Sequence, residues 1–108
     1  MKSKAALNAL SALAHETRLA VFRHLVAAGP DGCAAGDIAA KLKIAAPTLS
    51  FHLKNLEQSG LIRARRESRS IIYAADYDKM RGLLAFLMED CCRGRPEICS
   101  FEVAACCA

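Results

Sequence analysis

Apolar residues recur with the period of an α-helix along most of the chain. In the first segment, Leu7, Leu10 and Leu13 follow one another at helical spacing. Later segments repeat this pattern, and turn residues such as the Gly29–Gly32 stretch separate them. The pattern predicts five helices, at Ala5–Leu13, Glu16–Ala28, Ala34–Leu42, Pro47–Ser59 and Tyr77 to about Cys91.

The period changes between the fourth and fifth helices. From Leu61 to Ala74, apolar residues alternate with arginines and then form the run Ile71–Tyr73, which predicts a β-hairpin with a basic tip. Two short helices joined by a tight connector, followed by this hairpin, predict a mainly α fold with a β-hairpin wing, a winged helix-turn-helix. We assign residues 1–92 to this DNA-binding and dimerisation domain and residues 93–108 to a cysteine-containing tail.

Composition narrows the class of protein. The chain has 108 residues, is 54% hydrophobic but 6% aromatic, and carries a formal charge of +4, which is compatible with nucleic acid. No apolar run reaches the roughly 18 residues of a membrane span. Because Asn8, Ser11 and His15 interrupt the apolar N-terminus, we interpret it as a helix and not a signal peptide. We expect a cytoplasmic protein with reduced thiols, stabilised by dimerisation at this small size.

The fourth helix has one apolar side and one candidate DNA-binding side. With Leu49, Leu53 and Leu56 inward, the outward residues are Pro47, Thr48, Ser50, Phe51 and Lys54. Hydroxyls and a lysine can contact phosphates or bases, and a phenylalanine can meet a thymine methyl group. The hairpin adds phosphate-binding candidates, which are Arg63, Arg65, Arg66 and Arg69. Alternatively, these arginines form a solvated surface, Thr48 and Ser50 cap the helix, and His52 is a packed or surface histidine.

Two stretches carry a resemblance to a known family. ALAHETRLAVFRHL, residues 12–25, and GDIAAKLKIAAPTLSFHLKNLEQSGLIRARRESRSIIYAA, residues 36–75, resemble the ArsR/SmtB family of bacterial metal- and metalloid-sensing repressors. The family's S-x-H-L-K-x-L recognition helix stands here as residues 50–56. The resemblance implies a homodimer, built on the first and last helices, that binds double-stranded operator DNA and dissociates when an inducer binds.

Two ligand sites used within this family lack their residues here. The C-x-C-D-L arsenic site needs cysteines where Ala34 and Gly36 stand, and we interpret Cys33 as a small buried apolar residue. The zinc site on the last helix uses Asp, His and Glu, whereas this segment has no histidine. We therefore expect neither site.

The candidate sensor site is a cysteine cluster after the last helix. Cys91, Cys92 and Cys99 offer three thiolates without an imidazole or fourth ligand, which suits a soft ion content with three sulfurs. The stretch EDCCRGRPEIC resembles an arsenite-responsive branch of the family, which implies As(III) or Sb(III) as inducer and no required cofactor. Cys106 and Cys107 form a second pair, interpreted as idle or as accessory ligands.

Two other functions compete with this interpretation. A repressor of the same fold could sense oxidants by forming disulfides between these thiols. A thiol enzyme would need a Cys-x-x-Cys pair on a thioredoxin-like frame, or a cysteine with a nearby base, and the sequence predicts neither. We therefore predict a regulator and not an enzyme.

Overall fold

The computed structural model describes residues 1–88, and the predictions for Cys91, Cys92, Cys99, Cys106 and Cys107 lie outside these residues. The winged helix-turn-helix prediction is confirmed. The described elements are α1 Ser3–Leu13, α2 Glu16–Ala28, β1 Cys33–Ala34, α3 Ala35–Leu42, α4 Ala46–Gln58, β2 Ile62–Glu67, β3 Ser70–Ala75 and α5 Tyr77–Leu87. No helix in this part of the chain is both long and apolar enough to cross a lipid bilayer.

The sheet has one strand more than the predicted hairpin. Cys33 and Ala34 form β1, which pairs antiparallel with Tyr73 and Ile72 of β3, so the strand order is β1-β3-β2. The prediction that Ala34 begins the third helix is therefore wrong, and α3 begins at Ala35. A two-residue strand has no period of its own, because its hydrogen-bonding partner defines it.

Helix α5 begins at Tyr77, as predicted. It ends at Leu87, and Met88 closes it by donating its amide hydrogen bond to the Leu84 carbonyl at 3.0 Å. The predicted continuation to about Cys91 falls on residues 89–91, which lie outside the described part of the chain.

Helix α1 packs with its alanines inward. Ala6, Ala9 and Ala12 are buried, whereas Leu7 is 65% exposed and Leu10 is 38% exposed. Alanines allow the α1 backbone to approach its neighbours closely, and α1 contacts α2, α4 and α5. The leucine stripe that predicted this helix therefore lies largely outside the core of the single chain.

The core is aliphatic and centred on α4. Its fully buried side chains come from α2, α3, α4 and the start of the wing, and include Val21, Leu25, Ile38, Leu49, Leu53, Leu56, Leu61 and Ile62. Burial of each large aliphatic side chain stabilises the fold by about 1.5–3 kcal/mol. The inward stripe of α4 thus fixes the rotation of that helix about its own axis.

Candidate nucleic-acid interface

A three-residue turn sets the angle between α3 and α4. Lys43 adopts a left-handed conformation with φ of 57°, and its amide donates a hydrogen bond to the Ala39 carbonyl. The Ile44 amide donates to the same carbonyl at 3.0 Å, and the Ile44 side chain packs against the core. This turn holds α4 at the surface with its N-terminus outward.

The five predicted contact residues of α4 are all exposed. Leu49 and Leu53 are each 1% exposed on the inward side, whereas Phe51 is 62% exposed on the opposite side. The exposed set matches the prediction, namely Pro47, Thr48, Ser50, Phe51 and Lys54. An exposed phenylalanine beside two hydroxyls and a cation forms a surface suited to base edges and phosphates.

The N-terminus of α4 has no side-chain cap. Ala45 is the N-cap residue, and no side chain accepts a hydrogen bond from the first turn, which contains no acidic residue. The alternative that Thr48 or Ser50 serves as the cap is therefore wrong. Uncapped amides at a helix N-terminus, together with the positive end of the macrodipole, favour a phosphate.

The four wing arginines divide into two pairs. Arg63 Nε donates to Asp76 Oδ2 at 2.8 Å, and Arg65 Nη2 donates to the Asp31 carbonyl at 2.6 Å and to Glu67 at 3.3 Å. Within residues 1–88, Arg66 and Arg69 form no ion pair. All four are exposed, but those two retain uncompensated charge near the Ser68–Arg69 turn.

A pair of histidines lies behind the exposed face of α4. His52 is 6% exposed, and its ring centroid lies 4.6 Å from that of His15, the N-cap residue of α2. Burial, followed by the charges of His15 and Arg18, lowers the pKa of His52. The neutral form of the imidazole is therefore favoured, and the burial of the ring confirms that His52 is a packed residue.

Cys33 has an imidazole neighbour in the fold. Its Sγ lies 3.8 Å from His24 Nε2, and the residue is partly buried between α2 and the sheet. No group of three or more metal-ligating side chains occurs within residues 1–88. Cys33 is thus a partly buried small side chain with one weak polar contact.

Sequence reasoning missed the partners of Arg63 and Arg65. An aspartate directly before a helical pattern is a recognisable N-cap, and Asp76 does accept a hydrogen bond from the Lys79 amide at 3.0 Å. Its second contact, to Arg63, has no local signature because 13 positions separate the two residues. Burial alone would raise the pKa of Asp76, but hydrogen bonds from Lys79 and Arg63 and the charge of Arg63 lower it.

The fold and this surface together define a class of protein. A helix-turn-helix with an outward polar face on its second helix, followed by a basic β-hairpin, is the arrangement of a winged helix-turn-helix DNA-binding domain. A family model described as a helix-turn-helix domain matches residues 13–65.

Curated relatives are transcriptional regulators. The chain is 32% identical over 78 residues to an uncharacterized HTH-type transcriptional regulator, YceK, of Bacillus subtilis, which covers 72% of this chain and 77% of that protein. It is 37% identical over 78 residues to the biofilm growth-associated repressor of Agrobacterium fabrum, with 72% and 64% covered.

Similar solved structures include regulators of the ArsR family. An ArsR family transcriptional regulator is similar with a TM-score of 0.69 and 28% identity, over 83% of this chain and 90% of that one. The homodimeric winged helix-turn-helix DNA-binding domain of a possible ArsR-family regulator from Mycobacterium bovis has a TM-score of 0.66 and 28% identity, over 79% and 77%. The chain belongs to the ArsR family of winged helix-turn-helix transcriptional regulators.

Proposed function

We propose that this protein is a homodimeric repressor that binds operator DNA and is released when As(III) or Sb(III) binds Cys91, Cys92 and Cys99. The observation that carries the DNA-binding part is the exposed, uncapped N-terminal half of α4 beside a basic wing. The inducer part is supported by the cysteine spacing in the sequence.

The DNA contacts divide between the two elements. Thr48, Ser50, Phe51 and Lys54 enter the major groove and contact bases, while the first-turn amides bind a phosphate. Arg66 and Arg69 neutralise backbone phosphates beside the groove. Because the wing and α4 belong to one core, both contacts form in a single docking event.

A second copy covers the apolar residues that α1 and α5 expose. Leu7, Leu10 and Leu87 are solvent-exposed in the single chain, and α1 contacts α5. The similar Mycobacterium bovis domain is homodimeric. A two-fold dimer presents its two α4 helices to a roughly palindromic operator, with half-sites about one helical turn apart.

Inducer binding acts through the end of α5. Three thiols exchange for the three hydroxyl groups of arsenious acid and release three waters, which leaves arsenic bonded to three sulfurs. Drawing Cys99 back towards Cys91 and Cys92 reshapes the segment after α5. The dimer then favours a spacing between its α4 helices that no longer fits two successive major grooves, which is a coupling of about 1–3 kcal/mol.

Operator binding with and without arsenite tests the proposal. Fluorescence anisotropy on the chain's own promoter DNA, under reducing conditions, should show tight binding that arsenite weakens. Alanine at Cys91, Cys92 or Cys99 should preserve operator binding and abolish release. Cys33→Ala, which removes a partly buried thiol of β1, is the matched control and should release as wild type does.

Two results would count against the proposal in different ways. A wild-type protein with no affinity for its promoter would remove the operator-binding part. Release by a thiol oxidant, with no response to arsenite under reducing conditions, would support the redox-sensing repressor instead. Mass spectrometry of the reduced protein should show one arsenic bound with the loss of three protons.

A further inference from the structure

Asp76, the N-cap residue of α5, makes three hydrogen bonds at the junction between α5 and the rest of the fold. The Asp76 backbone amide donates to the Leu61 carbonyl at 2.8 Å, just after α4 ends. Its Oδ1 accepts from the Lys79 amide at 3.0 Å and caps α5, while its Oδ2 accepts from Arg63 Nε at 2.8 Å. One residue therefore joins the start of α5, the end of the α4 region and the base of the wing.

Two neighbours extend this junction to other helices. The Tyr77 hydroxyl donates to the Val26 carbonyl in the last turn of α2 at 2.9 Å. The Lys79 side chain lies over Gly60, where an added Cβ would be 3.2 Å from Lys79 Cε. The first turn of α5 thus contacts the ends of α2 and α4 as well as β2.

The two side chains of the Asp76–Arg63 ion pair differ in their exposure to solvent. The Asp76 side chain is 14% exposed, whereas that of Arg63 is 72% exposed. A largely buried carboxylate has few alternative hydrogen-bond donors, and the Arg63 guanidinium is the side-chain donor to its Oδ2. Arg63 also borders an open cavity of about 390 Å³ with Asp76, Tyr77 and Asp78, which leaves it room to swing away if Asp76 moves.

We propose that Asp76 is a positioning residue that couples α5 to the wing, because its carboxylate holds the first turn of α5 and the base of β2 as one unit. A displacement of α5 is then passed to the wing through Arg63. As a route for the inducer signal, this rests on the proposed function, in which the cysteines follow α5. The mechanical coupling itself is a property of the free protein.

Helix α5 also contains an ion pair that lies within the helix and can serve as a control. Asp78 and Arg81 form an ion pair within α5, and both side chains are more than half exposed. An ion pair inside one helix cannot transmit a displacement to another element. Substitutions at this pair therefore show the effect of losing an ion pair without losing the contact between α5 and β2.

Amide hydrogen exchange in the free protein tests the coupling. Asp76→Asn keeps an oxygen for the Lys79 amide and so preserves the cap, but removes the charge that holds Arg63. Arg63→Gln removes the same contact from the wing side. Each variant should speed exchange about twofold to fivefold in both the wing, residues 62–75, and the first turn of α5.

Non-additivity completes the test. The double variant should exchange no faster than the faster single variant, because both remove one contact. Asp78→Asn and Arg81→Gln should leave the wing unchanged. If Asp76→Asn speeds exchange in α5 alone, or Arg63→Gln in the wing alone, the two elements are not coupled through this contact and the inference is wrong.

Operator binding separates this inference from the proposed function. In wild type, arsenite should lower operator affinity, and Asp76→Asn should reduce that fold-change by about threefold or more while arsenic still binds the thiols. An unreduced fold-change would overturn the signalling route. If wild type itself does not respond to arsenite, the metalloid proposal fails, and the exchange pattern still decides whether α5 and the wing are coupled.

Discussion

His52 is the only polar side chain among residues 1–88 that is buried with an unpartnered nitrogen, its Nδ1. It belongs to α4, and its ring faces His15 and the charge of Arg18 from α2, with Phe51 edge-on at 5.7 Å. A proton on this imidazole would be poorly solvated and would meet a cation. Burial and the neighbouring positive charges therefore favour the neutral form of a histidine on α4.

This environment predicts acid sensitivity of the fold. The pKa of His52 is lowered from its ordinary value of 6.5 in the folded state, so the unfolded chain binds the proton more readily. The associated stability is fully present above pH 6.5 and is lost as the pH falls through the folded-state pKa. Urea unfolding between pH 7.5 and 5 should show a falling free energy of unfolding.

A substitution isolates the contribution of this residue. His52→Gln should reduce the slope of the free energy of unfolding against pH. The reduction should correspond to at most one proton taken up on unfolding, because a single group is removed. His24→Gln removes a histidine further along α2, outside the His15–His52 pair, and is the control that should not show this reduction. An unchanged slope in the His52 variant would mean that another group carries the effect.

At the scale of elements, the wing contains two kinds of arginine. Arg63 and Arg65 face partners outside their own strand, in the α5 cap and in the loop before β1. Arg66 and Arg69 have no acidic partner within the described residues, and they lie nearer the turn of the hairpin. The hairpin thus combines paired arginines at its base with two arginines towards its tip that form no ion pair within residues 1–88.

The two kinds should differ in their salt dependence. Replacing Arg66 and Arg69 together by alanine should lower the slope of log affinity against log salt by about 2, because each lost phosphate contact removes about 0.9. Stability should stay within about 0.5 kcal/mol of wild type. Measurement requires operator titrations at several salt concentrations and urea unfolding.

The matched variant replaces Arg63 and Arg65 by alanine. It should change the salt slope less and destabilise the fold more, because Asp76 would lose the partner of a largely buried carboxylate. Equal slopes in the two double variants would show that the division of the wing has no consequence for DNA binding.

At the scale of the whole molecule, Leu7 and Leu10 of α1 and Leu87 of α5 face away from the core of the single chain. Leu7 and Leu87 are 65% and 53% exposed, while the alanines of α1 pack inward. A small domain gains stability by burying such residues against a second copy. In the proposed dimer, this contact would set the distance between the two α4 helices.

Charge introduced on this surface should dissociate the dimer. Leu7→Glu places a carboxylate at both copies of the interface, so the dimer dissociation constant should rise at least about 100-fold. Operator affinity should fall with it, while the monomer fold is retained. Analytical ultracentrifugation and circular dichroism measure the two effects.

Leu19→Glu is the control for this substitution. Leu19 is a leucine of α2 with 43% exposure, outside α1 and α5. Its variant should remain dimeric and bind operator. Dissociation by the Leu19 variant, or none by the Leu7 variant, would place the contact between copies elsewhere.

The sequence alone determined the order of the helices, the hairpin and the outward face of α4. These features depend on local periods, and Leu49, Leu53 and Leu56 specify the inward side of α4 regardless of what covers it. The exposed residues Thr48, Ser50, Phe51 and Lys54 follow from that rotation. Local spacing is sufficient to predict the exposed side of α4 because the buried and the exposed residues belong to the same helix.

Tertiary structure alone decided which stripe of α1 faces the core, the strand β1, the burial of His52 and the pairing of the wing arginines. Both stripes of α1 are apolar, so only close packing against its neighbours favours the alanines. The contacts Arg63–Asp76 and Arg65–Asp31 join residues 13 and 34 positions apart. Such contacts arise when elements pack together, because no short-range period relates residues in different elements.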